Sequence, residues 1–547
     1  MAGLVWSAAA SASAFLEPPG AGLVITEFSA SSIGRFYDSN GRLLPATSYR
    51  KFEVSSYVEY GLVPRLALIF QPSGDAIRTG GPTPAQDRQA RLRAAAERLA
   101  AADGDRLRAA VASDLAAFWR VADVQAGDSA LTRALRFNLL QLRQSAPHDG
   151  SGGLAAKGLT GEGYEGHVFW DSEAFALPVL ALTAPERALS QLRFRAAALA
   201  QARAHARELN FATGALYPWR TIAGDEGSAY FPSGSAQLHL NADIAWAVRL
   251  YDRATGDDAF VLGEAAEMVW ETARIWLEAG SFAPRLGGAF RICGVTGPDE
   301  YSAIVDDDHF TNRMARLHLR YALELAERAG AGAAGAPCAE ERAAWARAAD
   351  AMHLPVDAQL GVHPQDAVFL DKPEWRFRED EADRPLLLHH HPLTLYRHQV
   401  LKQASVVQAH AMDPAGAGRA QKRRDLAYYE PRTAHDSTLS AAPHAVVAAA
   451  VGRHGRAIAF LRESALVDLD DLHGNAAHGL HMAAMAGGWQ ALAMGFAGLA
   501  VTAGGALAFL PQAPAQMPRY GFGLRWRGAD LRVEVDGGEA AYGLAAG

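Results

Sequence analysis

Apolar and polar positions change rhythm three times along this chain. From Gly22 to Pro72 the apolar residues sit in short runs rich in β-branched and aromatic side chains: Leu23-Val-Ile-Thr-Glu-Phe, Tyr49-Arg-Lys-Phe-Glu-Val and Leu66-Ala-Leu-Ile-Phe. Such runs predict strands, with Asn40-Gly41 as a hairpin turn, and the set reads as part of a β-sandwich. The Gly/Pro segment Thr79-Gly-Gly-Pro-Thr-Pro84 ends it. A long Ala/Arg/Glu/Leu helix to about Val121 follows as a spacer.

Helical spacing then dominates. It predicts helices over Leu131–Gln144, Glu173–Leu182, Glu186–Leu209, Ala242–Ala254, Glu264–Glu278, Asn312–Ala329, Glu340–Met352, His398–Ala411, Ala441–Val451, Arg456–Leu466 and His478–Leu499. Helices paired through polar, Gly-rich loops over this length suggest an α/α toroid of about a dozen helices. After Gly505 the rhythm returns to strands at Leu507-Ala-Phe-Leu, Tyr520–Trp526 and Asp530–Val535, a small C-terminal β-unit.

Composition narrows the function. At 547 residues the chain has room for two or three domains, and with half its residues hydrophobic and 20% charged it has a globular profile. A net charge of −8 gives no basic footprint for nucleic acid. Two cysteines, Cys293 and Cys338, are too few for a disulfide framework or a four-cysteine zinc site, so reduced thiols, no metal and no cofactor are expected. No run approaches the roughly 20 apolar residues of a membrane helix. Met1 to Leu16 is apolar and Ala/Ser-rich but lacks the basic lead of a secretory signal, so a cytoplasmic setting is expected.

Candidate chemistry centres on Cys293-Gly-Val-Thr-Gly-Pro-Asp-Glu300, where Gly294, Gly297 and Pro298 prevent a helix and leave Asp299 and Glu300 on a loop between helical regions. Upstream, Gly158-Leu-Thr-Gly-Glu-Gly-Tyr-Glu-Gly-His167-Val-Phe-Trp170-Asp171 sets an aromatic face beside a carboxylate. That combination holds a sugar ring by stacking its C–H face and accepting from its hydroxyls; the alternative is that Asp171 simply caps the helix starting at Glu173. Tyr217-Pro-Trp219-Arg220 and Gln237-Leu-His239 add polar and aromatic wall. Downstream come Lys402-Gln403 and His435-Asp-Ser437-Thr438-Leu-Ser440. The second of these runs into a helix whose N-terminus favours an oxyanion such as phosphate, or else supplies an ordinary serine cap. His481 opens the last long helix, as a core histidine or a ligand.

Taken in this order, the Trp-Asp, Asp-Glu, Lys-Gln and His-x-Ser-Thr-Leu-Ser segments resemble glycoside hydrolase family 65, the α-glucoside phosphorylases acting on trehalose, kojibiose or maltose. The resemblance runs from about Leu131 to Gly505 and implies a mainly α fold: an (α/α)6 barrel with a shortened N-terminal β-sandwich remnant, a linker helix and a small C-terminal β-sheet. The corresponding domains are 1–80, 81–125, 126–504 and 505–547. It implies Glu300 as general acid, Trp170, Asp171, Lys402 and Gln403 as glucosyl ligands, and Ser437, Thr438 and His481, with His435, as phosphate ligands. The implied partners are an α-linked glucose disaccharide, trehalose- or kojibiose-like, and inorganic phosphate as co-substrate, with a homodimer as the assembly.

The chain departs from the family pattern at Ser302, Ser405, Asp308 and Thr438. An inverting hydrolase, with Glu430 or Asp436 activating water, and an inactive sugar-binding protein are the competing functions.

Overall fold

The structure, a computed structural model, describes residues 104–228, 234–330, 332–377, 384–502 and 504–544 in full, with Glu97 and the backbone of four strands before them. The chain divides into two compact units, 1–116 and 117–547.

In the first unit, β1 (Gly22–Tyr37), β2 (Leu43–Val63), β3 (Leu66–Phe70) and β4 (Ser73–Arg78) form one antiparallel sheet. β1 lies along one edge of β2; β3 and β4 share the other edge, β3 against its second half and β4 against its first. The three predicted strands fall within β1, β2 and β3. The Asn40-Gly41 turn lies outside the described residues, but Tyr37 and Leu43 on either side of it are paired. Among the described residues this unit has one sheet.

The second unit is mainly helical. Its α-helices of seven residues or more are α1 (Gly104–Ala122, which begins in the first unit), α2 (Ser129–Ser145), α3 (Leu177–Thr183), α4 (Pro185–Ala197), α5 (Leu199–Glu208), α6 (His239–Thr255) and α7 (Ala266–Ala279). They continue with α8 (His309–Ala329), α9 (Ala339–Asp350), α10 (Ser405–Met412), α11 (Arg419–Tyr429), α12 (Ala441–Ala450), α13 (His454–Leu466) and α14 (Met482–Gln490). Local chemistry sets the ends of several. Asp128 and Asp308 cap α2 and α8 by accepting the amides of Leu131 and Thr311, each at 2.8 Å. Gly256, at φ 70°, ends α6 in the left-handed conformation that glycine adopts without penalty.

Two expectations need correction. The helix expected over Glu186–Leu209 is two, broken at Ala198. The one expected over His398–Ala411 starts only at Ser405, because Leu401 is drawn into a parallel bridge with Thr433. Helix α11 escapes a reading based on apolar periodicity because its sequence, RAQKRRDLAYY, is dominated by charge. β8 (Ala500–Val501) pairs with β9 (Leu507–Ala508), and the C-terminal sheet runs β12 (Glu539–Leu544), β11 (Ala529–Asp536), β10 (Arg519–Trp526), β5 (Val124–Ala126), so its inner edge comes from a three-residue strand just after α1.

One continuous core joins the helices to this sheet; Trp270, Trp276, Trp345 and Trp489 are fully buried in the second unit. Cys293 and Cys338 are free thiols, and Cys338 caps α9. Among the described residues no helix is long and apolar enough to cross a membrane.

Two buried histidines carry a pH consequence. His318 accepts from Trp276 Nε1 at 3.0 Å through Nδ1 and gives its Nε2 proton to the Val269 carbonyl at 2.9 Å, a fully used neutral imidazole. His444 lies in α12 beside the Ser440 carbonyl. Burial pushes both down to about 4, against the opposing pull of those carbonyls. Folded, they stay neutral where an unfolded chain would protonate, so their stabilisation is complete above the ordinary value of 6.5 and falls as pH drops toward 4. The loss should be on the order of 3 kcal/mol per histidine. Denaturant titrations at pH 7 and 4.5 measure it; an equal midpoint at both would contradict it.

Candidate active site

The loop 293–308 lies between a hairpin, β6 (Gly280–Ala283) with β7 (Ala289–Ile292), and α8. Both anchors hold it: Val295 and Val305 pair across the loop, and the Gly294 amide donates to Asp306 at 3.0 Å. Gly297 is required by close approach, since a methyl there would overlap the Asp308 carboxylate that caps α8. Asp299 is buried; its Oδ1 accepts from the Lys402 amide at 2.8 Å and the Tyr301 amide at 3.3 Å. Burial pushes Asp299 up to about 7 against those hydrogen bonds. Asp299 therefore ties the loop to the 401–403 segment, and Glu300, its neighbour, is presented to open space.

That space is a cavity of about 950 Å³. It is lined by all nine residues to which the family resemblance gives a role: Trp170, Asp171, Glu300, Lys402, Gln403, His435, Ser437, Thr438 and His481. Trp170 packs edge-on against Phe175, His239 and Phe310. Asp171 makes no capping bond, so the helix-cap alternative fails, and burial together with the Glu300 charge pushes it up to about 7. Lys402 donates to Glu300; burial works against its ammonium, but the Glu300 carboxylate holds it above its ordinary value. Gln403 gives its Nε2 to the Pro298 carbonyl at 2.8 Å, leaving Oε1 buried without a partner among the described residues. An unpaired buried acceptor in a cavity suits a ligand hydroxyl.

Also in the lining, His435 sits at φ 57° with Nδ1 2.8 Å from Ser440 Oγ, and burial beside His444 pushes it well below its ordinary value. Ser440 makes no cap bond to α12. His481 is clamped by Asp468, whose carboxylate takes Nδ1–H and the backbone amide, both at 2.6 Å.

The remaining sequence candidates divide. Trp219 and Arg220 line the cavity, whereas Tyr217, Gln237 and His239 do not: Tyr217 gives its hydroxyl to the Arg195 carbonyl, and His239 braces the back of Trp170. Asp436 lines the cavity with both oxygens engaged, Oδ2 by Tyr301 and the Leu386 amide and Oδ1 by Arg384. Glu430 lies outside the lining, paired with Arg456 and Arg453. Sequence reasoning missed Tyr164 and Arg384 in the wall, and Lys157 behind it. Lys157 opens the Gly-rich turn, and that position was its one available signal.

Among the described residues, one set of side chains is close enough to hold a metal ion: His363, His410 and Asp425, with candidate donor atoms within 4.8 Å of one another. They lie outside the cavity. Asp425 instead accepts from both imidazoles at 2.8 Å, and from the His363 amide and Gln421 at 2.9 Å.

Residues 136–490 match the description "Glycosyl hydrolase family 65 central catalytic domain", and residues 501–547 match "Glycosyl hydrolase family 65, C-terminal domain". The chain belongs to glycosyl hydrolase family 65. All nine site residues fall within the matched central domain of family 65. The alpha,alpha-trehalose phosphorylase of Geobacillus stearothermophilus is 45% identical over 430 residues, covering 77% of this chain and 56% of that protein. The kojibiose phosphorylase of Escherichia coli (strain K12) is 36% identical over 456 residues, covering 79% and 58%. This family 65 chain thus spans a little over half the length of those curated relatives. Among solved structures, a putative kojibiose phosphorylase from human microbiome superposes with a TM-score of 0.76 at 23% identity, over 91% of this chain and 73% of that one, so the two share a fold.

Proposed function

We propose that this family 65 chain catalyses inverting phosphorolysis of an α-linked glucose disaccharide, trehalose- or kojibiose-like. Glu300 protonates the leaving glycosidic oxygen while a phosphate oxygen attacks the anomeric carbon from the opposite face. The C1–O bond to the released sugar breaks, a C1–O–P bond forms, and the products are β-glucose 1-phosphate and a free sugar. Trp170, Asp171, Lys402 and Gln403 hold the glucosyl unit; Ser437, Thr438, His481 and His435 gather phosphate.

The observation that carries this reading is that the hydroxyl and imidazole loop opens onto the same cavity as Glu300. An inverting hydrolase needs a carboxylate free to activate water across the ring. Of the two proposed for that role, Glu430 lies outside the cavity lining and Asp436 has both oxygens occupied. The names of the relatives, phosphorylases of trehalose and kojibiose, support the same choice.

The proposal extends to the architecture: an (α/α)6 barrel over 126–504 after a β-sandwich portion at 1–80 and a linker helix at 81–125, with a β-domain at 505–547. A homodimer, a cytoplasmic setting and no cofactor beyond inorganic phosphate belong to it.

The test is to incubate the chain with α,α-trehalose, kojibiose and maltose, with and without inorganic phosphate. β-Glucose 1-phosphate should form only with phosphate; free glucose released at an equal rate without it would overturn the reading. Ser437→Ala should raise the phosphate KM about 10- to 100-fold, the cost of a lost hydrogen bond to an anion, and leave the disaccharide KM within about twofold. Equal changes in both constants would remove Ser437 from the phosphate site.

A further inference from the structure

We propose that Lys157, a residue outside the nine, is the positioning residue that sets the tautomer and orientation of His481, and so controls phosphate affinity. This rests on the phosphorylase reading. Lys157 is 3% exposed and stands behind the cavity wall. Its Nζ lies 2.8 Å from His481 Nε2 and donates to the Gly479 carbonyl at 2.8 Å.

The tautomer follows from the partners. Asp468 is an acceptor and takes the Nδ1 proton of His481 at 2.6 Å, so Nε2 bears the lone pair and accepts from the Lys157 ammonium. Both ring nitrogens are then engaged inside the protein. The positive charge of this corner is the Lys157 ammonium, which His481 holds behind the cavity wall.

Close packing preserves the arrangement: a methyl on Gly161 would come within 2.5 Å of the Gly479 nitrogen, so the Gly-rich turn after Lys157 lies directly on the segment leading to His481. The ionisable groups around the ammonium are His481, Asp468 and the Tyr164 phenol, whose ring centre lies 6.0 Å from Nζ; His473 in turn faces His481 and Asp468. Burial pushes Lys157 down to about 8, with Asp468 pulling the other way, so the proton is exchangeable near neutral pH.

The experiment measures initial rates of phosphorolysis against inorganic phosphate from pH 6 to 9.5 for wild type, Lys157→Met and Lys157→Arg, with α,α-trehalose or kojibiose as donor. In wild type, kcat/KM for phosphate should fall above about pH 8, where Lys157 loses its proton. Lys157→Met should raise the phosphate KM tenfold or more, leave the disaccharide KM within about twofold, and remove the alkaline fall. Lys157→Arg should recover most of the affinity and move that fall upward. Phosphate's own titration is common to all three and cancels in their ratios.

If Lys157→Met does not fold, the direction of the shift in Lys157→Arg decides. A phosphate-dependent wild type whose variants keep its phosphate KM and pH profile, or lose kcat and both KM values together with thermal stability, would overturn the inference and leave the phosphorylase reading standing. A wild type indifferent to phosphate would overturn both.

Discussion

Glu300→Gln is expected to lower phosphorolysis by about 10²- to 10⁴-fold while leaving the fold intact. The amide keeps the volume of the carboxyl and its reach into the cavity, yet has no proton acidic enough to pass to a departing sugar oxygen. The backbone around it does not depend on the Glu300 side chain: Asp299 fastens the loop to the Lys402 and Tyr301 amides, and the Val295–Val305 bridge closes its base. The substitution does remove the partner of Lys402, a pair about a quarter exposed on each side, so little stability rides on it. Thermal midpoint and disaccharide KM should therefore change little while kcat collapses. By microscopic reversibility, synthesis from β-glucose 1-phosphate should fall by the same factor. Turnover within threefold of wild type in a folded variant would remove Glu300 from the acid role.

Glu173→Gln should destabilise the protein by about 3–5 kcal/mol, the cost of leaving a buried charge without its partner. Glu173 sits in the π-helical turn Ser172–Ala176, immediately after the Trp170–Asp171 pair, and receives Arg195 bidentately, Nε at 2.8 Å and Nη2 at 3.0 Å. The two side chains are 2% and 1% exposed, so water cannot stand in for either. Arg195 belongs to α4, and its carbonyl accepts from Tyr217, which ties the sugar-side wall to the helix layer behind it. A glutamine retains the shape and one acceptor but leaves the guanidinium uncompensated. The double variant Glu173→Leu/Arg195→Met should be less destabilised than either single charge deletion, because no charge is then left buried. Denaturant midpoints at constant slope measure this; a loss under 1 kcal/mol for Glu173→Gln would show that the charges are effectively solvated.

Much of this protein was legible locally. The helices expected over Leu131–Gln144 and Ala242–Ala254 are present as α2 and α6, each end within three residues of the expected one, because apolar periodicity acts over one or two turns of chain. The loop presenting Glu300 was marked by Gly294, Gly297 and Pro298, which forbid a helix whatever surrounds them. Motif order indicated which residues would meet, and the cavity brings them together.

What the sequence left open depended on partners far away in the chain. Helix α11 has five charged residues in eleven, yet Lys422 and Asp425 are buried in it because Asp425 finds two histidines and Lys422 the Pro414 carbonyl. The strand β5 has three residues and exists because β10, nearly 400 residues later, supplies its hydrogen bonds. The same holds for the charges of the site. Asp436 and Glu430 read alike from sequence as candidate bases, and only the arrival of Tyr301 and Arg384 at one and Arg453 and Arg456 at the other engaged both. Lys157 and His481 lie 324 positions apart. Local sequence settles backbone conformation and which faces are apolar, because those terms act over one or two turns of chain. Which carboxylate stays free, and which imidazole nitrogen keeps its lone pair, is decided by whatever the closed fold sets within about 3 Å of it.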